Sequence, residues 1–249
     1  MSSFVWGQDP QEAFDNPYEY DAQEQFVREA KVFLKRMTEA LDGYNMKFNR
    51  DDVGLKKATW MLLQDLIDSL YECLVLIQEK RHRVAARLFR DVVETLDLLK
   101  LFHSGTEKAS RTLEKWYENE VISHSKARDY LKNVEGKAVA AARRDYYRQL
   151  SKFTHRTYRS LLDSYVLGRG DKLAHDSHSS SKLLVLPQII SAYYAVLGDL
   201  IIQVKEIASL GGVIESSYIK EAWLAALEEK RVPRRFAIKR LNKANPADA

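Results

Sequence analysis

The sequence is short of the residues that tight turns and covalent cross-links require. It has ten glycines, five prolines and one cysteine among 249 residues. All-β proteins need glycine and proline at their many turns, so this composition argues against a sandwich or a barrel. The single cysteine, Cys73, excludes an internal disulfide framework and a zinc site built from cysteines. We therefore expect a helical protein in a reducing compartment, the cytoplasm.

The chain also lacks a recognisable signal for secretion or membrane insertion. Its first fourteen residues contain neither a basic segment nor a continuous apolar run, so no signal peptide is predicted. Residues 183–202 are long and apolar enough to raise the alternative of a membrane span, but Pro187, Gln188 and Asp199 interrupt them. We interpret this segment as a buried central helix and predict no membrane partner.

The net charge of +4 conceals two opposed blocks, of which the first is acidic. Six acidic residues and no lysine or arginine lie between Asp9 and Glu24. Pro10 and Pro17 discourage a helix in this stretch. We therefore predict an extended acidic arm over residues 1–18, followed by a single domain.

The second block is basic and closes the chain. The predicted domain covers residues 19–230, and residues 231–249 follow it as a tail. A cluster of cations of this kind attracts phosphates, although the alternative for both ends is a solvated terminus. The tail residues that we predict to bind nucleic acid are Arg231, Arg234, Arg235, Lys239 and Arg240.

Apolar residues recur at helical spacing through the middle of the chain. Thr106 and Ser123 are candidate N-caps, and Pro187 suits the first turn of a helix. The predicted helices cover approximately residues 26–41, 62–77, 82–103, shorter segments within 106–133, 137–153 with a continuation through 162 left open, 187–210 and 214–230. The sequence thus predicts an all-α bundle of seven to nine helices with no significant sheet.

A constellation of polar residues on two of these helices is the best candidate for chemistry. Arg148 and His155 are seven positions apart, so they lie on the same helix face about 10 Å from one another. Ser151 lies between them, with Tyr147 one turn before it. On the helix from residue 82, Arg90 and Glu94 have the spacing of an ion pair among apolar neighbours. A buried arginine requires such a carboxylate.

The motifs that these residues form resemble those of two groups of proteins. Arg148 with six residues before His155 fits the R-x4-6-H pattern of the HEPN superfamily, helical-bundle proteins that include metal-independent ribonucleases of toxin and abortive-infection systems. The motifs that contain Arg90 and Glu94, and Tyr147, Ser151 and His155, also resemble a family of uncharacterised bacterial helical proteins. Two departures from the ribonuclease pattern are the long spacer and Gln149, which stands where nucleolytic members often carry Asn, Asp or His.

The resemblance to HEPN ribonucleases implies a function in a defence or stress system and a mechanism without metal or cofactor. His155 would serve as acid or base when a ribose 2′-OH attacks the adjacent phosphate, because imidazole titrates near neutral pH. Arg148 would stabilise the charge that develops on the phosphorane. In such enzymes a homodimer assembles the site, and Arg90, Glu94, Tyr147 and Ser151 would support it.

Two alternatives to catalysis remain open at this stage. The protein could bind RNA or a nucleotide without cleaving it. It could instead be a non-enzymatic interaction protein in which the Arg, Glu, Ser and His residues form a structural polar network. A weaker signal is the run Asp171, His175, Asp176 and His178, whose side chains are possible metal ligands. That run is rich in serine and is typical of a solvated loop, so we predict no metal site.

Overall fold

The computed structural model describes residues 18–162, 165–167, 172–175 and 187–213. Eight helices lie within these ranges, which confirms the predicted all-α bundle. They are α1 (Tyr18–Asp42), α2 (Leu55–Gln78), α3 (His82–Phe102), α4 (Glu107–Tyr117), α5 (His124–Glu135), α6 (Lys137–Thr154), α7 (Tyr158–Leu162) and α8 (Pro187–Leu210). The described part also contains two three-residue strands, β1 (Tyr165–Leu167) and β2 (Leu173–His175).

Helix α3 lies at the centre of the bundle. It packs against α2, α4, α5, α6 and α8, while α1 packs against α2 and α8. Its apolar stripe recurs every three or four residues and includes the fully buried Phe89 and Leu96. Phe33 of α1 and Leu70 of α2 are equally well buried in the same core. Every side chain on α3 that faces a neighbour is therefore held in a fixed position.

Helix α8 confirms the interpretation of the apolar segment as a core helix. Leu197, Leu200 and Ile201 are wholly buried against the other helices. Pro187 is the first residue of the helix, as predicted, because it needs no backbone hydrogen bond there. None of the helices in the described ranges combines the length and the apolar character that crossing a membrane would require.

The predicted caps are confirmed in one case and corrected in the other. Thr106 accepts a hydrogen bond from the backbone N–H of Ala109 at 3.2 Å and so begins α4. Ser123 does precede α5, but its side chain makes no capping bond and instead shares a 2.8 Å hydrogen bond with the hydroxyl of Ser125.

The predicted helix over residues 137–153 is confirmed, and its continuation through residue 162, which the sequence left open, does not occur. Helix α6 ends at Thr154, because Arg156 adopts a left-handed backbone conformation with φ of 51°, which a right-handed helix cannot continue. The short helix α7 follows. Strands β1 and β2 then pair antiparallel, with Val166 opposite Ala174, where a loop had been predicted for the second of them.

The acidic arm predicted over residues 1–18 stays a prediction, because Tyr18 is the only one of these residues that the structure describes. Tyr18 is helical rather than extended and is the first residue of α1. The acidic residues Glu19, Asp21 and Glu24 belong to the same helix. The arm before Tyr18, the predicted helix 214–230 and the basic tail 231–249 lie outside the described residues.

Candidate functional site

Charged and aromatic side chains of three helices meet where α3, α5 and α6 pack together. We call this set the polar cluster. It comprises Arg90, Glu94 and Asp97 of α3, His124 and Arg128 of α5, and Arg143 and Tyr147 of α6. The sequence predicted three of these residues, Arg90, Glu94 and Tyr147, as supporting groups.

The carboxylate of Glu94 connects α3 to α6. Arg90 Nε donates a 2.8 Å hydrogen bond to Glu94 Oε1, which confirms the predicted pair within α3. The hydroxyl of Tyr147 donates to the same oxygen at 2.7 Å. His124 Nδ1 lies 3.9 Å from it. Glu94 Oε1 thus has its interaction partners within the protein itself.

Asp97 forms the second half of the polar cluster, and its side chain is only 3% exposed. His124 Nε2 donates a hydrogen bond to Asp97 Oδ2 at 2.9 Å. Arg143 Nη1 lies 3.4 Å from Asp97 Oδ1. A buried carboxylate needs partners of this kind, because its desolvation costs several kcal/mol.

Asp97, His124 and Arg143 were not predicted as site residues from the sequence. The available signal was Asp97 itself, a carboxylate within the apolar stripe of α3 and three residues after Glu94. A charge at such a position predicts a partner on a neighbouring helix. The sequence does not say which helix supplies the partner, because that depends on how the helices pack.

Three groups pack against the ring of Tyr147, of which Arg90 is the most distant at 5.3 Å from the ring centroid. The guanidinium carbon of Arg128 lies 4.2 Å from the ring centroid, and the imidazole of His124 lies 4.6 Å from it. Among the described residues, no carboxylate pairs with Arg128, and its Nε has no hydrogen-bond partner. In the described part of the chain, Arg128 is therefore stabilised by a cation–π contact with Tyr147 and not by an ion pair with an acid.

The two residues predicted to be catalytic lie on the other side of α6. Arg148 is about two-thirds exposed and its Nη1 is 3.3 Å from Asp145 Oδ1. His155 caps the C-terminal end of α6 and is exposed. Ser151 is half-buried, and its hydroxyl donates to the backbone carbonyl of Tyr147 at 2.9 Å. Glu94 accepts its hydrogen bonds from Arg90 and Tyr147. Arg148 and His155 lie on a different face of α6 from Tyr147.

The solvent face of α6 carries a row of basic and histidine side chains, interrupted by Ala141. We call it the basic face; its members are Lys137, Arg144, Arg148, Lys152 and His155, and all are exposed. At 100° per residue they fall within an arc of about 80°, and the row extends over about 27 Å. Asp145 borders it and forms the ion pair with Arg148.

A concave site lies beside the N-terminal half of the basic face. We call it the α5–α6 pocket; its volume is about 410 Å³. Its lining includes five cations, Arg128, Lys132, Lys137, Arg143 and Arg144, and the single acid Asp129. Leu131, Ala140 and Ala141 supply an apolar wall. Arg128 and Arg143 belong to both the pocket and the polar cluster, so the cluster fixes part of the pocket lining.

Glu94 has a pKa below its ordinary value. Burial raises this pKa, but the hydrogen bonds from Tyr147 and Arg90 and the nearby charge of His124 lower it by more. A carboxylate whose pKa is lower in the folded chain stabilises the fold when it is ionised, and this contribution disappears as the pH falls through the folded-state pKa.

We therefore expect Glu94→Gln to lower the free energy of unfolding at pH 7 and to have a diminishing effect below about pH 4.5. Urea denaturation of both proteins between pH 7 and pH 3 measures the difference. Glu114→Gln, at an exposed position of α4, is the control and should show no such trend. A difference that stays constant or grows on acidification would contradict the assignment.

The remaining predicted sites lie mostly outside the described residues. This holds for the tail residues Arg231, Arg234, Arg235, Lys239 and Arg240, and for Asp171, Asp176 and His178 of the possible metal-binding run. His175 is described and is an exposed residue of β2. Within the described ranges, no group of three or more potential ligand side chains is arranged to hold a metal ion.

Comparison with protein-family models, with curated proteins and with solved structures finds no match for this chain. The function proposed below is therefore inferred from the side chains of this chain alone.

Proposed function

We propose that this protein is an HEPN-like RNA-binding protein that holds single-stranded RNA along the basic face of α6. The observation that carries the proposal is the exposure of Lys137, Arg144, Arg148, Lys152 and His155 on one face of one helix. Phosphate groups supply most of the affinity in nucleic-acid complexes, and a row of cations of this length can neutralise several of them.

An exposed aromatic residue supports single-stranded RNA as the ligand. Tyr158 lies three residues beyond His155, and 74% of it is exposed to solvent. Tyr158 is the first residue of α7, the helix that follows α6 in the chain, and an exposed ring of this kind offers a surface on which an unpaired base can stack, with a contribution of about 1–3 kcal/mol per base. A duplex keeps its bases stacked on one another and gains nothing from Tyr158.

The polar cluster has a structural role in this proposal. Its hydrogen bonds connect α3, α5 and α6, and Tyr147, on the cluster side of α6, is adjacent in sequence to Arg148 on the basic face. It therefore sets the orientation in which α6 presents the basic face. The alternative of a structural network formed by the Arg, Glu, Ser and His residues receives support for Arg90 and Glu94 but not for Ser151 and His155, which lie outside the polar cluster. RNA contact is assigned to the basic face.

The salt dependence of RNA binding tests the proposal. We expect the affinity for a fluorescently labelled oligoribonucleotide to fall with salt with a log–log slope of about −3, as four phosphate contacts on a single strand would give. Arg148→Ala should bring the slope closer to zero by about 0.7, because it removes one contact. Fluorescence anisotropy at several salt concentrations measures both quantities.

The control for this experiment is Arg111→Ala, which removes an exposed arginine from α4 and should leave the slope unchanged. A duplex RNA and a DNA strand of the same sequence complete the comparison, and the single-stranded RNA should bind most tightly. Binding that is insensitive to salt, or a slope that Arg148→Ala does not change, would refute RNA contact along the basic face.

A ribonuclease is a second candidate, favoured by the exposure of both Arg148 and His155 on one face. Their backbone positions are about 10 Å apart along the helix, so one chain holds the two groups on successive parts of a bound strand. A second copy of the chain would bring a partner histidine to each arginine, as in HEPN enzymes. His155 is then the acid or base and Arg148 stabilises the charge on phosphate.

The samples used for binding also distinguish cleavage from binding. Shortening of the RNA by the wild-type protein but not by His155→Ala, without added metal, would identify the ribonuclease. RNA that remains intact across a range of pH would leave RNA binding as the function.

A further inference from the structure

Four cations of the α5–α6 pocket lie close together without an acidic partner. Arg128, Lys132, Lys137 and Arg144 line the pocket, and none of them forms an ion pair with a carboxylate in the described part of the chain. Some exposed basic residues elsewhere do form such pairs, for example Arg28 with Glu24 and Lys35 with Glu39. The pocket therefore concentrates an excess of positive charge, with Asp129 as its one acidic lining residue.

The positions of these side chains suit an anion. The guanidinium of Arg128 is packed against the ring of Tyr147, so little of its rotational freedom remains to be lost on binding. Arg143, at the same wall, is held by Asp97 and is only 14% exposed. A guanidinium held in this way can donate two parallel hydrogen bonds to the oxygens of a phosphate.

We propose that the α5–α6 pocket binds a phosphomonoester, either on a nucleotide or at the 5′ end of an RNA. A terminal phosphate carries a charge of about −1.5 to −2 near pH 7, whereas an internal phosphodiester carries one. A concave site with four uncompensated cations favours the group with the higher charge and with three free oxygens. The pocket volume of about 410 Å³ exceeds what a phosphate alone occupies, and Leu131, Ala140 and Ala141 provide a wall for the attached nucleoside.

This inference extends the proposed function, on which its RNA form rests, because Lys137 and Arg144 belong to both the pocket and the basic face. An RNA with its 5′ phosphate in the pocket continues along α6 past Arg148 towards Tyr158. Arg128 and Lys132 line the pocket and are not part of the basic face, although Arg128 also belongs to the polar cluster, whereas Arg148 and Lys152 belong to the basic face and do not line the pocket. Variants at these two pairs therefore separate the two sites.

Titration with AMP and with adenosine tests the pocket without any RNA. We expect AMP to bind the wild-type protein at least about tenfold more tightly than adenosine, because charge-assisted hydrogen bonds are made only to the phosphate. Isothermal titration calorimetry and the NMR shifts of arginine side chains follow the binding. Arg128→Gln keeps much of the packing on Tyr147, and it should remove most of the preference for AMP. Lys132→Ala, at an exposed position, should reduce AMP affinity several-fold even if the first variant folds poorly.

The RNA form of the proposal is tested with one oligoribonucleotide that carries either a 5′ phosphate or a 5′ hydroxyl. The phosphorylated strand should bind more tightly, and Lys132→Ala should abolish the difference. Lys152→Ala should weaken both strands equally and preserve their ratio. Arg111→Ala on α4 is the control for the loss of one positive charge and should change neither ligand's affinity.

The outcomes separate this inference from the proposed function. AMP and adenosine that bind with equal affinity, or AMP affinity that neither Arg128→Gln nor Lys132→Ala changes, would overturn the pocket even if RNA binds along α6. Tight and Lys132-dependent binding of AMP without any binding of RNA would support the pocket and refute the RNA proposal.

Discussion

We expect Asp97→Ala to lower the free energy of unfolding by about 3–5 kcal/mol, the largest effect of any single polar substitution proposed for this protein. Asp97 is 3% exposed and faces both His124 and Arg143. Its removal takes away the carboxylate that His124 and Arg143 both face. The loss therefore combines the hydrogen bond from His124 with the favourable interaction between Asp97 and Arg143 at a site from which water is largely excluded.

Urea denaturation followed by circular dichroism measures this loss. Asp91→Ala is the matched control, because it removes the same side chain from an exposed position of the same helix. We expect the control to change the free energy of unfolding by less than about 0.5 kcal/mol. Asp97→Asn retains the shape of the side chain, and we expect it to lower the free energy of unfolding by an amount between those of Asp97→Ala and Asp91→Ala. A small effect of Asp97→Ala would mean that the polar cluster does not hold the helices together.

The second large effect concerns RNA. We expect the double variant Arg144→Glu and Arg148→Glu to weaken the binding of single-stranded RNA by about 100-fold or more at 0.1 M salt. Both side chains are exposed, so the substitutions change the charge of the basic face with little effect on the core. Each glutamate replaces an attraction to phosphate with a repulsion.

The control for net charge is the double variant Lys31→Glu and Lys35→Glu on α1, which changes the total charge by the same amount. Both lysines are exposed, and Lys35 pairs only at the surface with Glu39. Fluorescence anisotropy should show a much smaller loss for this control. Equal losses in the two double variants would indicate attraction by overall charge and no defined interface.

The sequence predicted the local structure of the bundle well, because helix formation and termination depend on neighbouring residues. The period of the apolar residues indicated the long helices, and Thr106 and Pro187 marked two of their starts. The sequence left open a continuation of the helix from Lys137 through Leu162, and the helix instead ends at Thr154, because Arg156 adopts a left-handed conformation that no glycine or proline announces. The β1–β2 hairpin was missed because its strands are only three residues long.

The candidate site was predicted only where its members lie on one helix. Arg90 and Glu94 are four residues apart, so helix geometry alone brings them together. The spacing of Arg148 and His155 likewise predicted one face of α6. The contact between Glu94 and Tyr147 joins residues that are 53 positions apart, and a resemblance to other proteins suggested the pairing before the packing of α3 against α6 defined it.

By itself, the sequence determined that this protein is a helical bundle and that Arg148 and His155 share one face of α6. These properties follow from the spacing of residues along a single chain, which 3.6 residues per turn converts directly into faces. Only the tertiary structure decided that His124 meets Asp97 and that Arg128 and Lys132 stand beside Lys137 and Arg144. These contacts depend on the relative positions of separate helices, which are set by the packing of the whole core around α3 and not by any local pattern.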